Sequence, residues 1–334
     1  MRTRLLHSSN DSVSSRKSHS HVGHHKGTSD FRHQSTDVKI ESHTTVLLQE
    51  AIEILEIKPD DTVVDATLGG IGHAQLIVEK LAKSGMFIGF DLDSDAIARA
   101  EKLLHSSTPQ VLCINDNFRY IDRELSLRAI GHIDKALFDL GWSGFQLGVG
   151  RGFSFLRDEP LLMTYRSDGT GLTAREIVNE WEEESIADVI FGWGEEHYSR
   201  GIARAIVEYR EQKPIETSLQ LAEIIRASVP AAYRRGRLHP ATKSFQALRI
   251  AVNDEMGALT EGLKGAWHKL APGGRIAVIT FHSIEDRFVK QLFVEWEKSG
   301  AGVRITHKPT VPTRSEVIAN PRSRSAKLRV IQKI

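Results

Sequence analysis

The sequence predicts an α/β fold, a mostly parallel sheet interrupted by a helical insertion, and three observations carry that prediction. Strand-like and helix-like segments alternate across residues 42–140. The alternation then lapses, and residues 141–241 read as a glycine-rich stretch followed by helices. It resumes with the apolar run Arg275 to Phe281.

Taken in order, a helix is expected over residues 46–55, then strands at 62–65, 86–91, 110–115 and 135–140. Helices at 74–82, 94–105 and 118–128 lie between the strands, so consecutive strands run parallel through helical crossovers. In the insertion, Thr173 with Glu176 and Thr217 with Gln220 have capping-box spacing, where each side chain satisfies the other residue's free backbone N–H. They start helices expected to reach residues 191 and 227, with another over 198–211. One long helix over 245–270 stops at Pro272-Gly273-Gly274, which feeds the strand 275–281. A helix at 284–297, a strand at 303–307, a short capped helix after Thr313 and a strand at 328–331 complete the series. The expected divisions are a disordered tail (1–40), a first half of the sheet domain (42–146), an inserted helical domain (147–241) and a second half (242–334).

The 334 residues, 40% hydrophobic, suffice to bury a sizeable core. No apolar run approaches the roughly 20 residues that span a bilayer, so a soluble chain is expected. A single cysteine, Cys113, excludes an internal disulfide and fits a reducing compartment. Residues 1–40 are rich in Ser, His and Arg and too poor in apolar residues to offset chain entropy. Their cluster His19, His21, His24 and His25 reads as low-complexity tail, and an organelle transit peptide is the alternative to a cytoplasmic location. The net charge of +1 conceals local basic runs, with eight Lys or Arg against one acid over residues 304–334. Such runs suit an anionic polymer.

The densest motif is Asp65 through His73, where a strand ends in the turn Gly69-Gly70-Ile71-Gly72 and opens a helix. Missing side chains let backbone N–H groups approach a ligand there. Asp91 closes the next strand, at the position where a carboxylate accepts hydrogen bonds from a ribose diol. Together these mark an adenosine site. Gln75 stands where the dinucleotide fingerprint requires a third glycine or alanine, which disfavours NAD and an oxidoreductase. Seven strands with a terminal hairpin suit a methyltransferase-type sheet better than a dehydrogenase.

Further blocks agree on one family: His43 to Glu50, Asp139-Leu140-Gly141-Trp142-Ser143, Arg151-Gly152-Phe153-Ser154-Phe155, Gly194-Glu195-Glu196, Thr242 to Ile250, Phe281 to Arg287 and Asn320 to Arg329. In order and spacing they resemble the MraW-type small-subunit ribosomal RNA cytosine-N4 methyltransferases. The resemblance implies a class I S-adenosylmethionine-dependent fold, Rossmann-like with seven strands. It also implies methylation of the exocyclic amine of one cytidine in the decoding region of small-subunit RNA. By position in the family motifs, cofactor contacts fall on Ile71, Gly72, His73, Asp91, Phe118, Asp139 and Gln146, with Asp65 and Gly69 shaping the same turn. Asp139 is the expected catalytic acceptor for the amine, because a cytosine amino nitrogen needs an acceptor for its N–H hydrogen bonds as it becomes tetrahedral, and proton loss can follow the methyl transfer. No metal is expected, since a sulfonium is already an activated methyl donor.

Arg234, Arg235, Arg237, His239, Lys243, Arg322, Arg324 and Lys327 are expected to hold RNA backbone, with Trp142 and His282 in the substrate pocket. The implied partner is small-subunit ribosomal RNA or the subunit itself, bound by a monomer or homodimer. The sequence departs from the family where Trp142-Ser143-Gly144-Phe145-Gln146 replaces a small residue and Ser-Ser-Pro-Gln, and where Leu162 and Thr164 replace an acid and a base. A catalytically impaired RNA-binding assembly factor is therefore the alternative reading.

Overall fold

The computed structural model describes residues 45–141, 150–166 and 170–334. The expected disordered tail with its histidines, and the positions Trp142 and Gln146, lie outside the described residues.

Among the described residues, seven strands form one sheet in the order β3-β2-β1-β4-β5-β7-β6. These are β1 Thr62–Asp65, β2 Met86–Phe90, β3 Gln110–Ile114, β4 Ile133–Asp139, β5 Leu270–Thr280, β6 Gly302–Arg304 and β7 Lys327–Lys333. The first five pair in parallel, and β7 runs antiparallel between β5 and β6. This is the class I methyltransferase arrangement. The central strands are apolar on both faces because helices cover both. One core, including Val63, Ile77, Phe87 and Leu137, lies under α1 (Leu48–Leu55), α2 (Gly72–Lys80) and α3 (Ser94–Leu104). The opposite core, with Phe90, Phe138, Leu263 and Phe293, lies under α4 (Ile121–Leu127) and two later helices.

The stretch after β4 has its own apolar cluster, in which Ile177, Ile190, Ile206 and Ile225 are completely buried. It is built by α5 (Ala174–Glu180), α6 (Glu183–Gly194), α7 (Ser199–Arg210), α8 (Ser218–Ser228) and the short α9 (Ala231–Arg234). Both expected capping boxes form, at Thr173 with Glu176 and at Thr217 with Gln220. The helix expected to run from Thr173 to residue 191 is two helices, because Trp181 and Glu182 are extended. The break seats the Trp181 ring against the cluster.

The long helix expected over 245–270 is likewise two, α10 (Thr242–Asn253) and α11 (Glu255–Lys269), separated by Asp254 in the left-handed region at φ 45. The halves serve different cores: Phe245 and Leu248 enter the helical cluster, whereas Leu259 and Leu263 pack on the sheet. One straight helix cannot face both. β5 also begins earlier than expected, at Leu270, with Pro272-Gly273-Gly274 accommodated in a bulge between the pairings Ile133–Leu270 and Lys135–Arg275. α12 (Ser283–Lys298) and α13 (Arg314–Ala319) complete the helices. The Glu316 carboxylate on α13 reaches back to the Leu47 N–H at 2.8 Å, just ahead of α1. No described helix is long and apolar enough to cross a membrane.

Candidate active site

A cleft opens where the carboxyl ends of the parallel strands meet. Its floor is the turn after β1. Gly69 has φ 45 and Ile71 φ 68, the latter a conformation that a β-branched residue adopts only under constraint. The constraint is visible: the Ile71 side chain is buried in the sheet core while its N–H donates to Leu68 O at 2.8 Å. At Gly72 a Cβ would lie 2.0 Å from Thr45 Oγ1 and 2.9 Å from Thr45 Cβ, so only glycine fits against the incoming chain. The result is the start of α2, with its unpaired N–H groups, at the cleft.

Asp91, at the end of β2, locks this turn to the next. Its Oδ2 accepts the Gly69 N–H at 2.9 Å and its Oδ1 the Asp93 N–H at 2.9 Å. Burial raises its carboxyl above the usual range despite those two bonds. After β3, Asn117 caps a 3-10 turn that presents Phe118 to the cleft, edge-on to Phe138 with centroids 5.7 Å apart. The expected helix over 118–128 therefore opens as this tighter turn, Phe118–Tyr120.

Asp139 ends β4. Its N–H donates to Thr67 Oγ1 at 2.8 Å, and its Oδ2 lies 3.5 Å from His73 Nδ1. Its Oδ1 is inaccessible to water and has no hydrogen-bond partner. Burial, then the neighbouring Asp65 and Glu285 carboxylates, push Asp139 up to about 8 against the opposing Gly141 N–H. Asp65 sits beneath the cleft rather than in its lining; its Oδ1 accepts the Thr67 N–H at 3.0 Å, and burial pushes it up to about 7. A deep carboxyl whose neighbours are acidic is matched to a cationic ligand, which would restore its charged form.

Gly69, Ile71, Gly72, His73, Asp91, Phe118 and Asp139 thus line one cleft. His282, at the end of β5, caps α12: its Nδ1 accepts the Glu285 N–H at 3.4 Å and its Nε2 is 3.1 Å from Glu285 Oε1. Among the basic residues, Arg234, Arg235, Arg237, Arg322 and Arg324 are exposed. Two others are committed within the protein, since Lys243 Nζ donates to Glu195 O and Lys327 Nζ to Asp286 Oδ2, each at 2.9 Å. His239 stacks on Phe155 with centroids 4.6 Å apart, and its Nδ1 accepts the Ala241 N–H.

Sequence reasoning missed Tyr165, Asn253 and Glu255, which form the far wall of the cleft. The Tyr165 hydroxyl donates to Glu255 Oε1 at 2.8 Å, and Arg249 Nε and Nη2 donate to Glu255 Oε1 and Oε2 at 2.8 and 2.9 Å. Asn253 accepts the Tyr165 N–H at 2.8 Å and donates to Met163 O at 2.8 Å. The only signal was the density of polar residues at the end of the 242–250 block.

Comparison with known proteins fits this geometry. The model of the MraW methylase family matches residues 41–334. The chain belongs to the MraW methylase family. Among curated relatives of this family member is the ribosomal RNA small subunit methyltransferase H of Paenibacillus sp. (strain JDR-2), 46% identical over 87% of this chain and 99% of the relative. The protein of the same name from Symbiobacterium thermophilum is 46% identical over 87% and 96%. Among solved structures, an rRNA methylase from Streptococcus thermophilus superposes with TM-score 0.40 at 12% identity, over 85% of this chain and 93% of that one. A Streptococcus mutans protein in complex with SAH gives TM-score 0.41 at 12% identity, over 87% and 99%.

Proposed function

We propose that this MraW-family methylase transfers a methyl group from S-adenosylmethionine to the exocyclic N4 amine of one cytidine in the decoding region of small-subunit ribosomal RNA. The observation that carries the reading is the Asp139 carboxyl, which lines the cleft beside the glycine turn. Curated relatives named ribosomal RNA small subunit methyltransferase H support the RNA substrate. When bound, S-adenosylmethionine supplies an electrophilic methyl on a cationic sulfur.

The residues present fit that cofactor. Asp91 would take the ribose, Phe118 would pack beside the adenine, and the N–H groups of Gly72 and His73 would meet the methionine end, with Ile71 shaping the turn and Gln146 a further proposed contact. Asp139 would accept an N–H hydrogen bond of the target amine and so orient its nitrogen for transfer, the extra proton being released after the methyl has moved, while His73 steadies the carboxylate. Asp65 acts from below by adding negative potential at the sulfonium. His282 stands behind the cleft lining, against Glu285.

Exposed Arg234, Arg235, Arg237, Arg322 and Arg324 grip phosphates, and Lys243 and Lys327 shape those surfaces through their protein partners. The inserted helical module, residues 147–241 with α10 as its shared wall, presents the RNA. The work is cytoplasmic. Incubating the protein with labelled S-adenosylmethionine and small-subunit RNA, followed by nucleoside mass spectrometry, is expected to yield N4-methylcytidine. Label on another base or atom refutes the substrate, and cofactor binding without transfer favours the assembly-factor alternative.

A further inference from the structure

The strands deliver side chains to the cleft in spatial order: Phe118 from β3, Asp91 from β2, the glycine turn from β1, Asp139 from β4 and Glu285 from β5. On the proposed methylation reading, on which this inference rests, adenosine occupies the β3 and β2 side. The acceptor base must then enter past Asp139, at the end of β5. Glu255 stands there, for ligand atoms of Glu255, His282 and Glu285 lie within 4.8 Å of one another.

Glu255 is held more firmly than a surface carboxylate. Oε1 accepts from both the Tyr165 hydroxyl and Arg249 Nε, while Oε2 accepts only Arg249 Nη2. The Arg249 guanidinium is itself buried. The buried guanidinium and the Tyr165 hydroxyl both donate to this carboxylate, so it acts here as an acceptor. Its orientation is fixed from behind by two side chains, and Oε2 retains acceptor capacity in a residue that lines the cleft.

We propose that Glu255 is a specificity-determining residue that accepts an N–H of the exocyclic amine of the target base and thereby selects cytosine over uracil. Cytosine presents two N–H donors at position 4, and Asp139 and Glu255 can accept one each. Uracil presents a carbonyl oxygen there, which would face a fixed carboxylate lone pair to lone pair. Sites built to receive a donor reject the analogue lacking it, because the buried acceptor is left unpaired. Tyr165 is the positioning residue that aims Glu255.

The test compares two otherwise identical small-subunit RNA fragments with cytidine or uridine at the methylated position, binding to the whole protein measured by fluorescence anisotropy. Wild type is expected to prefer the cytidine fragment by about 10-fold or more, the worth of one hydrogen bond to a charged acceptor. Glu255→Gln, whose amide can donate to a carbonyl oxygen, is expected to bring the two affinities within about twofold. Tyr165→Phe, which keeps the Arg249 pair, is expected to give an intermediate preference and guards against misfolding of the first variant. Equal loss of affinity for both fragments, or an undiminished preference in Glu255→Gln, overturns the assignment while leaving RNA methylation intact. Absence of any methyl transfer by wild type removes the underlying reading and this one with it.

Discussion

Replacing Asp139 with Asn tests the electrostatics of the cleft directly. The carboxyl is held near 8 against an ordinary value of 3.8, chiefly by burial. A raised folded-state value means that the fold favours the neutral acid. The stabilisation is full below pH 3.8 and is lost progressively as pH rises to about 8. Between pH 5 and pH 9 the ligand-free protein should therefore lose about 4 kcal/mol through this group, at roughly 1.4 kcal/mol per pH unit. Asp139→Asn keeps the shape and removes the titration, so its urea midpoint should fall less steeply with pH than that of wild type. Cofactor affinity should respond in the opposite sense. Wild type is expected to bind the cationic sulfonium more tightly as pH rises through 8, whereas the variant should keep only the dependence that Asp65 imposes near pH 7 and bind at least about 10-fold more weakly at pH 8.5. The neutral thioether product should bind both proteins with similar affinity. Parallel denaturation profiles for the two proteins, or equal losses for sulfonium and thioether, would refute the argument that Asp139 is a buried group kept for a cation.

Three other perturbations have defined outcomes. Gly72→Ala forces a Cβ onto Thr45 and should cost about 1–3 kcal/mol in urea denaturation; a Thr45→Gly second change should recover most of that cost. Asp286→Ala strips the carboxylate from buried Arg329 and should destabilise by about 3–5 kcal/mol, whereas Asp286→Asn, which still accepts hydrogen bonds, should cost less. Thr173→Ala opens the capping box of α5 and should cost about 1 kcal/mol, read from the thermal midpoint, without altering cofactor affinity.

The sheet was legible because its strands are short apolar runs bounded by turn residues. Thr62–Asp65 lies where expected, β2, β3 and β4 differ from expectation by one or two residues at their ends, and β5 begins at Leu270 rather than Arg275. The near side of the cleft was legible too, since Gly69 to His73 and Asp91 are close in sequence and their roles follow from local backbone chemistry. The far wall was not. Tyr165 and Glu255 are 90 residues apart, and only tertiary packing joins them. The break at Asp254 hid them further: neither glycine nor proline marks it, and the helical periodicity runs on unbroken across it. Trp181 interrupts its helix for the same kind of reason, a packing demand from residues distant in sequence.

The position of β7 between β5 and β6 bears on how a nascent chain acquires this fold. β6 has no strand to pair with until the segment synthesised after it has threaded into place, and the clasp from Glu316 to Leu47 likewise joins late-made chain to early-made chain. During translation the outer edge of β5 therefore stays open, a template for wrong pairings, until the last strand arrives to close it.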